Sequence, residues 1–162
     1  MDRAEDRQLP QSPTLGADVP AQIARDVCDL FPETIAACIF GSAARGTMRP
    51  FSDIDIGLLV PEEPDIMDLG ELAGRIEDLV RRRVDIVRLR GLPERDPEPA
   101  FRIAAEGIPI VEKSKNAFAF FKKEAFLWYM DTEPLRRMLK KALYKRVKSG
   151  NFGRRNYIDE DT

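Results

Sequence analysis

Residues 41–55 read GSAARGTMRPFSDID, and this stretch decides the fold predicted for the chain. An apolar run from Ile35 to Phe40 precedes it, and a second one, Ile54 to Val60, begins inside it. Short apolar runs bounded by turn residues are typical of buried strands. The sequence therefore predicts one strand over 35–40 that ends in a Gly-Ser turn, a loop over 47–52, and a second strand over 53–60.

An acidic pair, Asp53 and Asp55, opens the second strand. Because side chains alternate along a strand, the two carboxylates share one face, with their Cα atoms about 6.6 Å apart. Carboxylates at this separation can share a divalent cation, and the turn at Gly41 and Ser42 lets the backbone approach a phosphate. A solvated strand edge or an ordinary turn would explain either feature alone. Their combination favours Mg²⁺ held between the protein and a nucleoside triphosphate.

The composition is that of a globular protein, with 43% hydrophobic and 33% charged residues among 162. We expect a cytoplasmic location, because no apolar run approaches the roughly 20 residues of a membrane span and no apolar signal segment opens the chain. The two cysteines, Cys28 and Cys38, match no metal-ligand spacing. The chain contains no histidine, which excludes histidine triads, zinc–histidine sites and histidine general bases.

The net charge of −2 conceals a basic block near the C-terminus. Residues 136–155 contain nine lysines and arginines and no acid, whereas the remainder has 17 basic and 28 acidic residues. Such a block contacts nucleic acid or an acidic partner, or forms a solvated helix face. The sequence leaves these alternatives open, and direct nucleic-acid binding stays undecided.

Hydrophobic periodicity and chain-breaking residues predict the remaining elements. We expect a helix ending at Pro32, a short helical turn over 42–46, a helix over 66–82, a strand over 83–89, a helix over 100–106, a strand over 108–111, and helical residues 114–148 interrupted at Pro134. This order predicts an α/β fold, a small mixed β-sheet with helices packed on one side and further helices at the C-terminus. The expected domain covers 18–148, between a disordered extension over 1–17 and a flexible tail over 149–162.

A third acid, Asp85, falls on the strand predicted to lie beside the one that carries the acidic pair. Three carboxylates converging from two strands suit phosphoryl-type chemistry. Two of them would bridge the metal ions that neutralise a triphosphate, and the third would accept the proton of the nucleophile or complete the metal shell. The alternative is that Asp85 is simply an exposed strand acid.

Arginines flank this predicted site on both sides along the chain. Arg45 and Arg49 lie inside the loop, where they either contact a phosphate or remain solvated. The run Arg81-Arg82-Arg83 ends a predicted helix, where positive charge complements the helix dipole.

The spacing of these motifs resembles a known family. A Gly-Ser pair followed after ten residues by Asp53-Ile54-Asp55, with Asp85 further on, resembles the nucleotidyltransferase superfamily of the polymerase-beta type. The segments Ala44-Arg45-Gly46, Glu106-Gly107-Ile108-Pro109-Ile110 and Tyr129-Met130-Asp131 resemble its minimal nucleotidyltransferase (MNT) branch. The resemblance covers about residues 20 to 145.

The resemblance implies a polymerase-beta-like nucleotidyltransferase domain and a specific role for each motif. Many such proteins are antitoxins that transfer AMP from ATP to a tyrosine of a HEPN ribonuclease toxin, their partner. Asp53 and Asp55 would hold Mg²⁺, with Asp85 as third metal ligand and candidate base. Gly41 and Ser42 would contact the nucleotide phosphates.

Two other functions remain alternatives. One is a small-molecule nucleotidyltransferase of the antibiotic-modifying kind. The other is an antitoxin that masks its toxin by binding alone, which the intact set of acids does not exclude. A template-directed polymerase is the least expected, because the chain is too short for the additional elements of such an enzyme.

Overall fold

The computed structural model describes residues 15–149. The extension expected over 1–17 and the tail expected over 149–162 lie almost wholly outside the described residues, so both stay predictions. Contacts along the chain divide it into two compact units, Met1–Tyr129 and Met130–Thr162. The first unit holds the sheet and the predicted site.

Eleven elements follow one another in the described part of the chain, and their order confirms the predicted one with one short helix added. Their bounds are α1 Val19–Leu30, β1 Ala36–Phe40, α2 Gly41–Arg45, β2 Ile54–Leu59, α3 Ile66–Val80, β3 Val84–Arg88, α4 Leu92–Arg95, α5 Pro97–Glu106, β4 Ile108–Glu112, α6 Ala117–Asp131 and α7 Glu133–Lys148. The helical turn after β1 was expected, whereas α4 was not. Helix α5 begins three residues before the predicted start, because Pro97 occupies the first helical position, where a missing amide costs nothing.

The strands form one mixed sheet in the order β3-β2-β1-β4. Strand β1 is antiparallel to both β2 and β4, and β2 is parallel to β3. The end of β1 therefore meets the beginnings of β2 and β3 at one edge of the sheet. This edge is where the Gly-Ser turn and the three acids were predicted to converge.

Helices cover both faces of the sheet, so the expectation of helices on one side is wrong. Ile39, Ile54 and Ile56 are buried in a core shared with α1 and α3. On the other face, Cys38 and Leu89 pack in a second core with α5 and α6. The physical reason lies in β1, whose first four residues, Ala36–Ile39, are apolar and at most 4% exposed, so helices must cover both of its faces.

Most described residues of the second unit form helix α7, which begins after Thr132. Pro134 lies in its first turn, which confirms the interruption predicted at this proline. Arg137 forms an ion pair with Glu133 one turn earlier in the same helix. Across residues 15–149, no helix is both long and apolar enough to cross a membrane.

Candidate active site

Gly41 joins β1 to α2 in a conformation that only glycine adopts without strain. Its φ is +69°, and a Cβ built on it would lie 2.1 Å from Oδ2 of Asp55. The carboxylate of Asp55 thus lies directly against the backbone of the turn, in space that any other residue would fill. The turn and the acid form one packed unit.

Strand register brings the acids together. Asp55 is paired with Asp85 across the parallel β2–β3 ladder and with Phe40 across the β1–β2 ladder. Asp53 lies one residue before β2 and is exposed. All three acids line one cleft of about 500 Å³, together with Gly41 and Ser42. The structure therefore places all five predicted site residues around one space, while their roles stay predictions.

The carboxyl of Asp55 lies in an environment that disfavours its charge. Burial raises the pKa of Asp55 above its ordinary value, and the negative charges of Asp85, Asp53 and Glu106 raise it further, while Arg45 opposes them. Asp55 and Asp85 are directly opposite like charges on neighbouring strands, an arrangement that destabilises a sheet. A bound cation would remove this repulsion.

The cleft supplies the ligand type that a divalent cation needs. Among residues 15–149, no group of three or more carboxylate or thiol side chains is gathered closely enough to hold a metal ion as it stands. Mg²⁺ does not require such a cage, because it is usually bound by one or two carboxylates together with waters and substrate phosphates. The donor set of Asp53, Asp55 and Asp85 therefore fits Mg²⁺ that arrives with a nucleotide.

Glu106, at the end of α5, is a site residue that sequence reasoning did not assign. Its Oε1 accepts a hydrogen bond of 3.1 Å from the backbone N–H of Gly41, and its Oε2 pairs with the guanidinium of Arg45. Arg45 is exposed and ion-paired in the structure, and the phosphate contact considered for it stays a prediction. The segment 106–110 carried part of the family resemblance, and this was the signal that pointed to Glu106.

Arg82 provides a second contact that the sequence did not predict. Its Nη1 donates to the carbonyl oxygens of Arg49, Pro50 and Ser52, at 2.9, 2.9 and 3.3 Å. Helix α3 ends at Val80, before this arginine. The interpretation of the arginine run as a complement to the helix dipole therefore does not describe Arg82, which binds the loop in front of Asp53.

Comparison with known proteins identifies the family. Residues 24–116 match the family model described as polymerase beta, nucleotidyltransferase. The chain belongs to this family. The match covers more than half of the chain and includes the whole candidate site, which confirms the predicted family and fold.

Individual relatives agree with this assignment. The chain is 41% identical, over 49 residues, to the Methanocaldococcus jannaschii protein named "Putative protein adenylyltransferase MJ1215". The match covers 30% of this chain and 57% of that protein, so it spans little more than half of the relative.

Two solved structures share the fold. The first is described as a toxin-antitoxin with AMP-PNP, and it matches with a TM-score of 0.69 at 22% identity over 77% of this chain and 98% of its own. The second is described as tri-AMPylated Shewanella oneidensis HEPN toxin in complex with MNT antitoxin. It matches with a TM-score of 0.64 at 19% identity over 78% of this chain and 96% of its own. At these identities the likeness concerns the fold.

Proposed function

We propose that this chain is a Mg²⁺-dependent protein adenylyltransferase, which transfers AMP from ATP to a tyrosine of a HEPN ribonuclease toxin and acts as its antitoxin. The observation that carries the proposal is the cleft in which Asp53, Asp55 and Asp85 face the Gly41 turn. Carboxylates beside a phosphate-accepting turn are the arrangement that nucleotidyl transfer requires.

The proposal assigns a role to each predicted site residue of the cleft. Asp53 and Asp55 hold the cation, which when bound offsets the negative charge of the triphosphate. The backbone N–H of Gly41 and the hydroxyl of Ser42 donate to phosphate oxygens. In the structure the Gly41 N–H donates to the carboxylate of Glu106, so a phosphate oxygen that binds this amide replaces Glu106 there.

Asp85 is the candidate base for the acceptor. The tyrosine oxygen forms a bond to the α-phosphorus of ATP while the bond from that phosphorus to the bridging oxygen breaks, and pyrophosphate leaves. Asp85 takes the proton of the tyrosine hydroxyl. Its position opposite Asp55 in the β2–β3 register supports this role.

The comparisons support a protein as the acceptor. The M. jannaschii relative carries the name of a protein adenylyltransferase. The solved structures of this fold include a complex with AMP-PNP and a HEPN toxin carrying AMP groups beside an MNT antitoxin. These relatives favour transfer to a toxin over transfer to an antibiotic.

Intact mass measurement tests the proposal. The chain is incubated with Mg-ATP and a candidate HEPN-type partner protein, and we expect the partner to gain one or more AMP groups. EDTA should abolish the gain, and the doubly substituted Asp53→Asn, Asp55→Asn protein serves as the matched control. A tight complex with no mass change would instead establish masking, and transfer to an aminoglycoside but not to the protein would establish a small-molecule enzyme.

A further inference from the structure

The loop that carries Asp53 lacks the support that the other two acids receive. Asp55 lies within β2 and Asp85 within β3, so sheet hydrogen bonds fix both backbones. Asp53 precedes β2, and its side chain is exposed. Something other than the sheet must fix its position if it is to hold a cation with Asp55.

The loop itself forms a tight turn just before Asp53. The Ser52 N–H donates to the carbonyl of Arg49 at 3.0 Å, and the Arg49 N–H donates to the Ser52 hydroxyl at 2.7 Å. Pro50 occupies the second position of this turn, where its fixed φ is favourable. The turn closes on itself, yet these two bonds do not attach it to the sheet.

Attachment comes from two consecutive residues, Arg82 and Arg83, between α3 and β3. The Ser52 carbonyl, on the N-terminal side of Asp53, accepts from Nη1 of Arg82. The Ile54 N–H, on its C-terminal side, donates to the carbonyl of Arg83 at 2.9 Å. Both peptide groups that flank Asp53 are thus held by the same short segment.

One nitrogen of Arg82 makes the side-chain part of this attachment. Its Nη1 reaches three carbonyl oxygens, those of Arg49, Pro50 and Ser52. Hydrogen bonds from a charged donor are stronger than neutral ones, and a half-buried guanidinium that contacts three carbonyls restricts the whole turn. Arg83, by contrast, contributes its backbone, and its exposed side chain has no hydrogen bond or ion pair recorded within residues 15–149.

We propose that Arg82 is a positioning residue for nucleotidyl transfer: by binding the carbonyls of residues 49, 50 and 52 it holds Asp53 in register with Asp55. The inference rests on the proposed function, because the position of Asp53 matters for activity only if this acid binds the cation. A misplacement of about 1 Å in a reacting geometry costs up to about 10²-fold in rate. Loss of the Arg82 contacts should therefore lower turnover by about 10–10²-fold.

The test compares Arg82→Gln with Arg82→Lys, and Arg83→Gln is the matched control with the same loss of charge one residue away. We expect Arg82→Gln to reduce kcat for AMP transfer and to raise the Mg²⁺ concentration needed for half-maximal rate, with a smaller change in KM for ATP. Arg82→Lys should recover most of the rate, because an ammonium offers three donors from one nitrogen. Arg83→Gln should behave as the wild type.

A second measurement needs neither nucleotide nor partner. Amide exchange followed by NMR should show the Ser52 and Ile54 amides exchanging about tenfold faster in Arg82→Gln than in Arg83→Gln, at equal thermal stability. Equal amide exchange in Arg82→Gln and Arg83→Gln would overturn the inference. Equal transfer rates of Arg82→Gln and an active wild type would overturn it as well. So would an Arg82→Lys protein no more active than Arg82→Gln.

The two proposals fail differently in this design. If the wild type transfers no AMP to its partner, the proposed function is wrong, while the exchange comparison still decides whether Arg82 holds the loop. If the wild type is active and Arg82→Gln matches it, the proposed function stands and the positioning role is refuted.

Discussion

Replacing Gly41 with alanine should lower the rate of AMP transfer far more than it lowers the stability of the fold. The new Cβ would lie 2.1 Å from Oδ2 and 3.0 Å from Cγ of Asp55. The atom in the way belongs to the end of a side chain, so the carboxylate can swing aside at little cost in folding free energy. That same movement takes Asp55 away from the position in which it is proposed to hold the cation.

The structure provides the size of each effect. An alanine at φ +69° costs about 1–2 kcal/mol, because its Cβ crowds the following carbonyl. In a protein of this size, that cost lowers the melting temperature by about 2–8 °C. To reach an ordinary contact distance of 3.4 Å, the oxygen must move by about 1.3 Å. A misplacement of about 1 Å already costs up to about 10²-fold in rate.

Gly46→Ala is the matched control. Gly46 has nearly the same φ, +67°, but a Cβ there meets no atom within 4 Å. Both variants should melt at similarly lowered temperatures, whereas only Gly41→Ala should lose AMP transfer, measured as the initial rate of mass gain on the partner at saturating Mg-ATP. If Gly41→Ala transfers AMP within a few-fold of Gly46→Ala, the packing of Asp55 against the turn has no functional meaning and the reasoning is refuted.

Four further predictions follow from the acids and the basic tail. Asp53→Asn or Asp55→Asn should abolish transfer with the fold intact, and near wild-type transfer by the double variant would mean that the site is misplaced. The raised pKa of Asp55 means that its charged form is disfavoured in the folded state. Asp55→Asn should therefore melt no lower than wild type at pH 7 without nucleotide. Any gain in melting temperature should shrink as the pH falls, because the wild-type carboxyl is then protonated. Asp85→Ala should lower turnover by about 10²–10⁴-fold with a smaller change in nucleotide affinity, and unchanged turnover would make Asp85 an ordinary exposed acid. Truncation after Ser149 or after Tyr144 should slow partner association at low salt and flatten its salt dependence, whereas unchanged kinetics in both truncations would leave the tail without a binding role.

The strands that carry the site could be predicted from the sequence because they follow one another along the chain. β1, the turn and β2 follow one another directly along the chain. Their antiparallel pairing places Phe40 opposite Asp55 and so brings the turn next to the acids. The position of Asp85 could also be predicted, because β2, α3 and β3 form a strand–helix–strand unit in which β3 lies parallel to β2. Four of the five predicted site residues lie within residues 41–55.

The helices on the second face of the sheet could have been predicted from the composition of β1, but they were not. The run Ala36-Ala37-Cys38-Ile39-Phe40 contains no polar residue, and continuous apolar runs are typical of strands buried on both faces. The one-sided sheet was predicted from the order of the elements, which does not distinguish one covered face from two. The composition of β1 argued for helices on both sides.

The contacts of Glu106 and Arg82 could not be predicted, because they depend on how distant elements dock. Glu106 lies 65 residues from Gly41, and Arg82 lies 30–33 residues from the carbonyls that it binds. In the sequence, one is an acid at the end of an amphipathic helix and the other an arginine in a basic run, and both patterns are typical of solvated side chains. Only the packing of α5 and the end of α3 against the site turns them into site residues.

The charge of the cleft favours an activity that needs a divalent cation over binding alone. A folded protein has no structural reason to align Asp55 and Asp85 in register, since like charges opposite each other destabilise a sheet. Arg45 relieves Asp55 only in part, because its guanidinium is paired with Glu106. The charged side chains that line the cleft have a formal net charge of −2, which attracts a cation; they are Asp53, Asp55, Asp85, Glu106, Arg45 and Arg102. An antitoxin that only masked its toxin would gain stability by losing these acids, so the repulsion within the cleft is itself an argument for the metal-dependent reaction.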